Sequence, residues 1–468
     1  MGNFLLKGLF SKSIFWLSLS LAFALLCSLP LIKYGFSYKY LVTSDAQQFT
    51  FWMARFADPD LFPADMIADY FQSVTPWGYA TLYRLFASWG LEPLTLSKFL
   101  PPVLGLVTTA FCFGICLELL PIPLAGFIAT VILNQTLWME ARLADSVPRS
   151  FVYPLLLAFF FSLLRHTWIG MALAILLLGL FYPQGVLVCV AILGLRLLEW
   201  RGIVPYFSIN KRNYWDFVGI LALSFLIMTP YALKSSVYEP IISLAQAKTL
   251  PEFSASGRTQ FFGVNPWEFW LYGKRSGMFA LMSPWCIFAL FLPRLKLASK
   301  KFPLTQKLRP QISILWQILL GASIMFFLAH LLLFRLHLPN RYIEPSLLII
   351  TAIAAGISLT LIIEWFLRQA WLVWLGVRGK IAVSLMIIVW LFPLSLITVG
   401  NEFPDNPYKR GRVPELYDFF AQQPKDTLIA SLASRSDKIP PFSHRSILVG
   451  RKYAIPYHLG YYLPFRQR

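Results

Sequence analysis

The chain has 468 residues, of which 57% are hydrophobic and 13% are charged, and its formal net charge is +19. So few charged residues exclude an ordinary soluble globular domain, in which about a quarter of the residues are charged. The positive charge does not indicate a nucleic-acid partner, because the basic residues lie in short loops between apolar runs, where they set membrane topology and contact membrane lipids.

Apolar stretches of about 20 residues, the length needed to cross a bilayer, recur along the chain. The first follows Lys7 and Lys12 and has no small-residue cleavage site, so we interpret it as an uncleaved signal anchor. Hydropathy predicts an all-α polytopic membrane protein with about eleven transmembrane helices, several of them short. Their approximate limits are 13–33, 98–119, 122–139, 150–164, 167–181, 184–198, 217–233, 277–292, 312–334, 343–366 and 381–399.

The distribution of lysine and arginine predicts how these helices are oriented. If the N-terminus is cytoplasmic and the spans alternate, the basic stretches 196–212, 294–309 and 368–380 all lie inside the cell. This is the positive-inside pattern, and an odd number of spans then leaves the C-terminus outside. The outer segments that would face the first loop are 140–149, 234–276 and 335–342.

The first extracytoplasmic loop, about 35–97, is too long and too aromatic for a plain connector. Four apolar residues at helical spacing predict a helix that lies in the bilayer interface. These residues are Phe49, Trp52, Met53 and Phe56. Asp58 and Pro59 end this helix, and Pro63 suits the start of a second interfacial helix.

Carboxylates are concentrated in the same loop. Asp45 stands between the first span and the aromatic helix, where a half-buried acid is a candidate catalytic base. Asp65 and Asp69 lie one helical turn apart and are candidates for a second acid, although an acid in the first turn also stabilises a helix through its dipole. For Asp58 and Asp60 we expect a solvated turn.

Cationic residues in the other outer segments are candidates for holding an anionic group, because guanidinium forks match phosphate oxygens. The candidates for binding a phosphate are Arg142, Arg149, Lys274, Arg275, His337 and Arg341. The alternative for each arginine is snorkelling or a local ion pair, such as one between Arg341 and Glu344.

The remaining motifs add no further site. The five cysteines lie in apolar segments and the five histidines are scattered, so the sequence predicts neither disulfides nor metal ligands. A divalent cation has no support from the sequence. Phosphate-binding glycine loops and nucleophile elbows are missing too, and we expect no cofactor.

Residues 401–468 are less apolar than residues 1–400, which we predict to form the transmembrane domain. The stretches 426–431 and 446–450 predict short buried strands, and a helix is expected to begin at Pro414. We therefore predict a small extracytoplasmic α/β segment. About 70 residues make a marginal core, so the segment should pack on the membrane domain. It either binds an acceptor or is structural.

The layout resembles the GT-C superfamily of polytopic membrane glycosyltransferases. The resemblance rests on Thr43-Ser44-Asp45 at the start of a long first outer loop and on the many-span layout with a cytoplasmic N-terminus. The sequence Asn340-Arg341-Tyr342-Ile343-Glu344-Pro345 before a late span and the outer tail support it. It covers most of residues 1–400, and it is closest to bacterial members, which implies the bacterial cytoplasmic membrane.

What the resemblance implies is a GT-C-like fold in which Asp45 is the general base and the donor is a sugar on polyprenyl phosphate. The family often has a second acid beside the first. In this chain Ala46 follows Asp45, so Asp65 or Asp69 would have to serve.

The implied chemistry suits these residue types. A carboxylate takes the proton of an acceptor hydroxyl as the hydroxyl attacks the anomeric carbon, and cations stabilise the departing phosphate. Single displacement inverts the anomeric centre, and the acceptor is a glycan, lipid or protein. Trp52, Tyr70 and Trp77 are candidates for stacking on sugars, with an interfacial aromatic belt as the alternative.

Two other functions remain open at this point. A transporter or flippase would also be polytopic and basic, but internal repeats and charges near the membrane centre are typical of it. A polysaccharide ligase or polymerase would act on the same lipid-linked glycans from the same side.

Overall fold

The computed structural model describes residues 13–201, 204–233, 237–262, 265–368 and 407–468. Within these residues, five helices are long and apolar enough to cross a membrane. The helices are α1 (Ser13–Gly35), α2 (Ala46–Thr50), α3 (Met66–Val74), α4 (Trp77–Ser88), α5 (Pro93–Leu119), α6 (Pro123–Met139), α7 (Val152–Leu164), α8 (Trp168–Phe181), α9 (Gln184–Leu195), α10 (Lys211–Leu233), α11 (Leu244–Thr249), α12 (Leu292–Leu297), α13 (Ile314–Leu331), α14 (Asn340–Leu367), α15 (Pro414–Ala421), α16 (Ile439–Ser443) and α17 (Leu459–Gln467).

The five long apolar helices are α1, α5, α10, α14 and the continuous segment Pro310–Leu331 that contains α13. Shorter apolar helices lie between them: α6, α8, α9 and the segment Pro148–Leu164 that ends in α7. This is the architecture of a helical protein embedded in a membrane.

Helices occupy nine of the eleven predicted spans. At a tenth, the described residues 277–292, the structure has no spanning α-helix. Residues 277–292 contain a 3-10 helix, Pro284–Phe291, preceded by chain without regular secondary structure. Ser283 ties that chain to α6, because its N–H donates to Thr136 at 3.1 Å and its hydroxyl donates to Gln135 at 2.9 Å. The predicted span 381–399 lies outside the described residues.

The loops between these helices fall on two sides. On one side, Tyr79 Oη donates to the carbonyl of Ser146 at 2.9 Å, which joins the first loop to the loop after α6. On the other side, Glu118 at the end of α5 pairs with Arg165 after α7 and with Arg309 before α13. The chain therefore passes repeatedly between two surfaces.

Of the five long apolar helices, α14 is the most buried, and it lies at the centre of the bundle. In its most apolar window 89% of the residues are buried. A Cβ added at Gly356 would lie 2.6 Å from the Cβ of Ala129 on α6, so only glycine allows these backbones to pack so closely.

The first loop forms short helices, but the prediction that their aromatic face lies in the bilayer interface is wrong. Trp52 and Met53 are buried in the protein core, on a 3-10 helix that spans Phe51–Phe56. The second helix begins at Met66 rather than at Pro63. Phe62 and Ala64 have positive φ angles, which a right-handed helix cannot contain. Asp65 then caps the N-terminus of α3.

The C-terminal segment packs on the first loop through a two-stranded sheet. Strand β1 (Leu41–Thr43) pairs antiparallel with β4 (Tyr408–Arg410), with Thr43 opposite Tyr408. The predicted strands of the segment occur as β5 (Leu428–Ile429) and β6 (Ser446–Ile447), which are parallel. A separate hairpin pairs β2 (Leu198–Arg201) with β3 (Val204–Phe207).

Candidate active site

Asp45 follows β1 directly, and the paired strands hold it at the surface where several loops meet. It stands at the N-terminus of α2, but the N–H of Ala46 donates to the hydroxyl of Thr43 at 3.3 Å. Capping by Thr43 leaves the Asp45 carboxylate available for other contacts. Its side chain is 32% exposed, so solvent and small molecules can reach it.

Arg149 is the nearest cation to Asp45. Its Nη2 lies 3.0 Å from Asp45 Oδ2 and 2.9 Å from Asp145 Oδ2, so one guanidinium bridges two carboxylates. Asp145 is buried, and burial together with the charge of Asp45 raises the pKa of Asp145.

Lys452 approaches Asp45 from the C-terminal segment. Its Nζ lies 3.4 Å from Asp45 Oδ1 and donates to Ser44 Oγ at 2.6 Å. Burial alone would raise the pKa of Asp45, but the charges of Arg149, Lys452 and Arg341 outweigh it and hold that pKa well below its usual value. Asp45 is therefore ionised throughout the physiological pH range.

Further arginines extend this positive region beyond Asp45. Arg341 acts electrostatically on Asp45, on Arg275 and on the phenol of Tyr182, which lies in the short turn between α8 and α9. Arg275 donates to the carbonyl of Gln260 at 3.1 Å. The charged groups that act on Asp45 and Arg275 thus include more cations than carboxylates, which suits an anionic ligand.

His337 lies in the same region but is uncharged. Its side chain is half-buried, and its ring lies 5.1 Å from that of Tyr457. Burial and the nearby charges of Arg341, His458 and Arg275 lower the pKa of His337 to about 3. A neutral imidazole can hydrogen-bond a ligand, but it contributes no positive charge to a phosphate site.

Arg142 does not face Asp45 as a free cation. It forms ion pairs with Glu140 and with Glu344, and its side chain is only 7% exposed. Asn340 donates to the same Glu344 at 3.2 Å. Because two carboxylates already neutralise Arg142, we assign it to joining α14 to the loop after α6. The predicted pair of Glu344 with Arg341 is replaced by this contact.

The predicted second acids have structural partners. Asp65 accepts the N–H groups of Ile67 at 2.8 Å and Ala68 at 3.1 Å, so it is the N-cap of α3. Asp69 pairs with Arg55 at 2.7 Å and lines a shallow surface cavity with it. The carboxylate that the structure brings beside Asp45 is Asp145 instead.

Most of the aromatic candidates do not present a free ring to a sugar, and Lys274 has an exposed side chain. Trp52 is buried in the core, and Tyr70 stacks on Tyr461 at 3.7 Å, so neither presents a ring face to a sugar. Trp77 is 65% exposed at the start of α4 and remains available. The side chain of Lys274 is exposed, and its carbonyl accepts from Asn340 at 2.9 Å.

Sequence reasoning missed two residues of this site. Asp145 lies four residues before Arg149, a spacing at which an acid and a base pair on one turn. That spacing was visible in the sequence. Lys452 lies more than 400 positions from Asp45, in a segment with no distinctive motif, and only the fold brings the two together.

No family model matches this chain, and a search of curated proteins finds no significant match. Among the described residues, no group of three or more His, Cys, Asp or Glu side chains is arranged to hold a metal ion. The cation that pairs with both Asp45 and Asp145 is the guanidinium of Arg149.

Proposed function

We propose that the protein is a membrane glycosyltransferase that moves a sugar from a polyprenyl-phosphate donor to an acceptor hydroxyl on the extracytoplasmic face. The observation that carries the proposal is the partly exposed, ionised carboxylate of Asp45, held 3.0 Å from Arg149 at the edge of a cationic region. Carboxylate and cations are the two elements that this transfer needs.

Asp45 has the role of general base in this proposal. It accepts the proton of the acceptor hydroxyl while the oxygen attacks the anomeric carbon, and the bond from that carbon to the phosphate oxygen breaks. The phosphate leaves as an anion and needs no general acid. Arg341 and Arg275 stabilise its charge, whereas Arg149, already paired with two carboxylates, holds Asp45 in place. The transfer inverts the anomeric centre.

The membrane position supports a lipid-linked donor. Helices α8 and α9 have 14 and 12 residues, which at about 1.5 Å per residue is shorter than a hydrocarbon core of about 30 Å. Tyr182, in the turn between them, lies within electrostatic reach of Arg341. This nearness of a cation to the end of two apolar helices supports a phosphate that is carried by a lipid. In the proposed orientation the N-terminus is cytoplasmic, the C-terminal segment is outside, and the membrane is the bacterial cytoplasmic membrane.

The proposal is tested by offering the purified full chain, reconstituted in vesicles, a panel of polyprenyl-phosphate sugars with a mixture of acceptors. Consumption of one donor, release of polyprenyl phosphate and an inverted product are the expected results. If labelled donor only crosses the bilayer with its sugar attached, the protein is a flippase. A product that lengthens with time would indicate a polymerase.

A further inference from the structure

The C-terminal segment places a lysine directly on the proposed base. Lys452 Nζ is 3.4 Å from Asp45 and 2.6 Å from Ser44. Its backbone is fixed, because its N–H donates to Asp437 at 3.1 Å and its carbonyl accepts from Gln48. Only the flexible four-carbon stem separates this fixed backbone from the ammonium, which can therefore turn without moving the segment.

The two cations on Asp45 differ in how firmly they are held. Arg149 is bonded to the buried Asp145 as well as to Asp45, so its fork keeps one orientation. Lys452 has only one carboxylate as a partner, Asp45 at 3.4 Å, and its other partner is the neutral hydroxyl of Ser44 at 2.6 Å. An incoming anion can therefore compete for Lys452 more easily than for Arg149.

An anion that competes for Lys452 would also change the basicity of the Asp45 carboxylate. A carboxylate with two cations on it is a poor proton acceptor, since an effective general base needs a pKa nearer the working pH. A phosphate that takes over Lys452 removes one of these cations from Asp45 and makes the carboxylate more basic.

We propose that Lys452 is a phosphate-binding residue that pairs with Asp45 until the phosphate of the donor draws its ammonium away. The inference rests on the proposed function in naming the ligand, which is a phosphate monoester or diester. It makes the C-terminal segment part of the site rather than a structural appendage, and it requires the donor to bind before the acceptor is deprotonated.

The test measures phosphate binding without any sugar transfer. The full chain in detergent is titrated by calorimetry with geranyl phosphate and, separately, with inorganic phosphate, so that a lipid-borne and a free phosphate are distinguished. The variants are Lys452→Met, Lys452→Arg and Asp45→Asn. The matched control is Lys425→Met, because Lys425 lies on the same segment and pairs with Asp58 at 2.7 Å.

We expect Lys452→Met to weaken geranyl phosphate binding roughly tenfold or more, as the loss of one charge-assisted hydrogen bond does. Lys452→Arg should retain most of the affinity, and Lys425→Met should match the wild type. Asp45→Asn should instead raise the affinity for geranyl phosphate roughly tenfold, because the carboxylate that competes for Lys452 is gone.

Several results would overturn the proposal. They are wild-type affinity in Lys452→Met, an equal loss in Lys425→Met, or no gain in Asp45→Asn when that variant has the thermal transition of a folded protein. Equal affinity for free phosphate and geranyl phosphate would mean that Lys452 binds phosphate but that the ligand need not be a lipid, which contradicts a lipid-linked donor. If phosphate binds as expected and no sugar is ever transferred, the proposed function fails while the phosphate site stands.

Discussion

Asp45 and Asp145 bind the same nitrogen, Nη2 of Arg149, at 3.0 Å and 2.9 Å. The two carboxylates are not equivalent, because the surroundings push their pKa values apart. The pKa of Asp45 is lowered by three cations, whereas burial and the neighbouring Asp45 raise the pKa of Asp145. Pairs of acids with opposite shifts are typical of sites that divide proton transfer and charge stabilisation between them.

The opposite pKa shifts predict that the two substitutions to asparagine have unequal effects on stability at pH 7. Asp45→Asn should lower the free energy of unfolding by about 1–3 kcal/mol, because it removes a carboxylate that the folded state stabilises. Asp145→Asn should cost less than about 1 kcal/mol or stabilise the protein, because an ionised Asp145 is unfavourable when buried. Thermal unfolding in detergent checks both.

The pH dependence of the Asp45→Asn effect is a second check on its sign. A carboxyl group whose pKa is depressed on folding stabilises the protein above its unfolded pKa of about 4. The stability difference between wild type and variant should therefore be constant from pH 7 to about 5, and shrink only as the pH falls below about 4. A difference that disappears near pH 6 would contradict the depressed pKa.

His337 should destabilise the wild type in mild acid. Its pKa in the folded protein is about 3, below the unfolded value of about 6.5, so protons favour the unfolded state. Between pH 6.5 and 3 the wild type should lose about 1.4 kcal/mol per pH unit more than His337→Asn. Asparagine is chosen because residue 337 has a φ of 61°, which asparagine tolerates. Parallel unfolding curves would show that His337 is charged in the folded state.

Arg142 and Arg341 should respond differently to loss of charge. Arg142→Met leaves Glu140 and Glu344 without their cation, so we expect a loss of about 3 kcal/mol in stability. Arg341→Met should weaken donor binding roughly tenfold and acceptor binding much less. Calorimetry with donor and thermal unfolding separate the two effects, and equal donor defects in both variants would return Arg142 to the phosphate site.

Thr43 should control the availability of the Asp45 carboxylate. Thr43→Val removes the hydroxyl that accepts the N–H of Ala46, so stability should fall by about 1 kcal/mol and Asp45 should turn toward the helix as its cap. Transfer activity should fall with it. Thr43→Ser keeps the hydroxyl and is the control. Equal activity in the two variants would mean that Asp45 keeps its orientation without this cap.

The sequence predicted the parts of the fold that depend on local hydropathy. Helices such as α1 and α14 were predictable, because a bilayer requires long apolar stretches with internally bonded backbones. Residues 277–292 have similar hydropathy but are tied to α6 by Ser283, and the 3-10 helix within them begins only at Pro284. Such a tertiary hydrogen bond leaves no local signal.

The site was predictable only where charge and position coincide. Asp45 and Arg149 stand out as charges beside apolar spans, and the structure brings them together. Trp52 and Arg142 were misjudged because composition does not tell a buried side chain from one that faces a cavity. Lys452 depends on the pairing of β1 with β4, a long-range contact that a single sequence does not specify.

The rate of sugar transfer in a single turnover, compared between wild type, Asp45→Asn and Asp58→Asn, tests the central claim most directly. Asp58 is an acid of the same loop that pairs with Lys425, so it controls for the loss of one loop carboxylate. We predict that Asp45→Asn lowers the rate by about 10²- to 10⁴-fold with donor still bound, and that Asp58→Asn stays close to the wild-type rate. A rate for Asp45→Asn within about twofold of wild type, well short of what a general base contributes, would contradict the account.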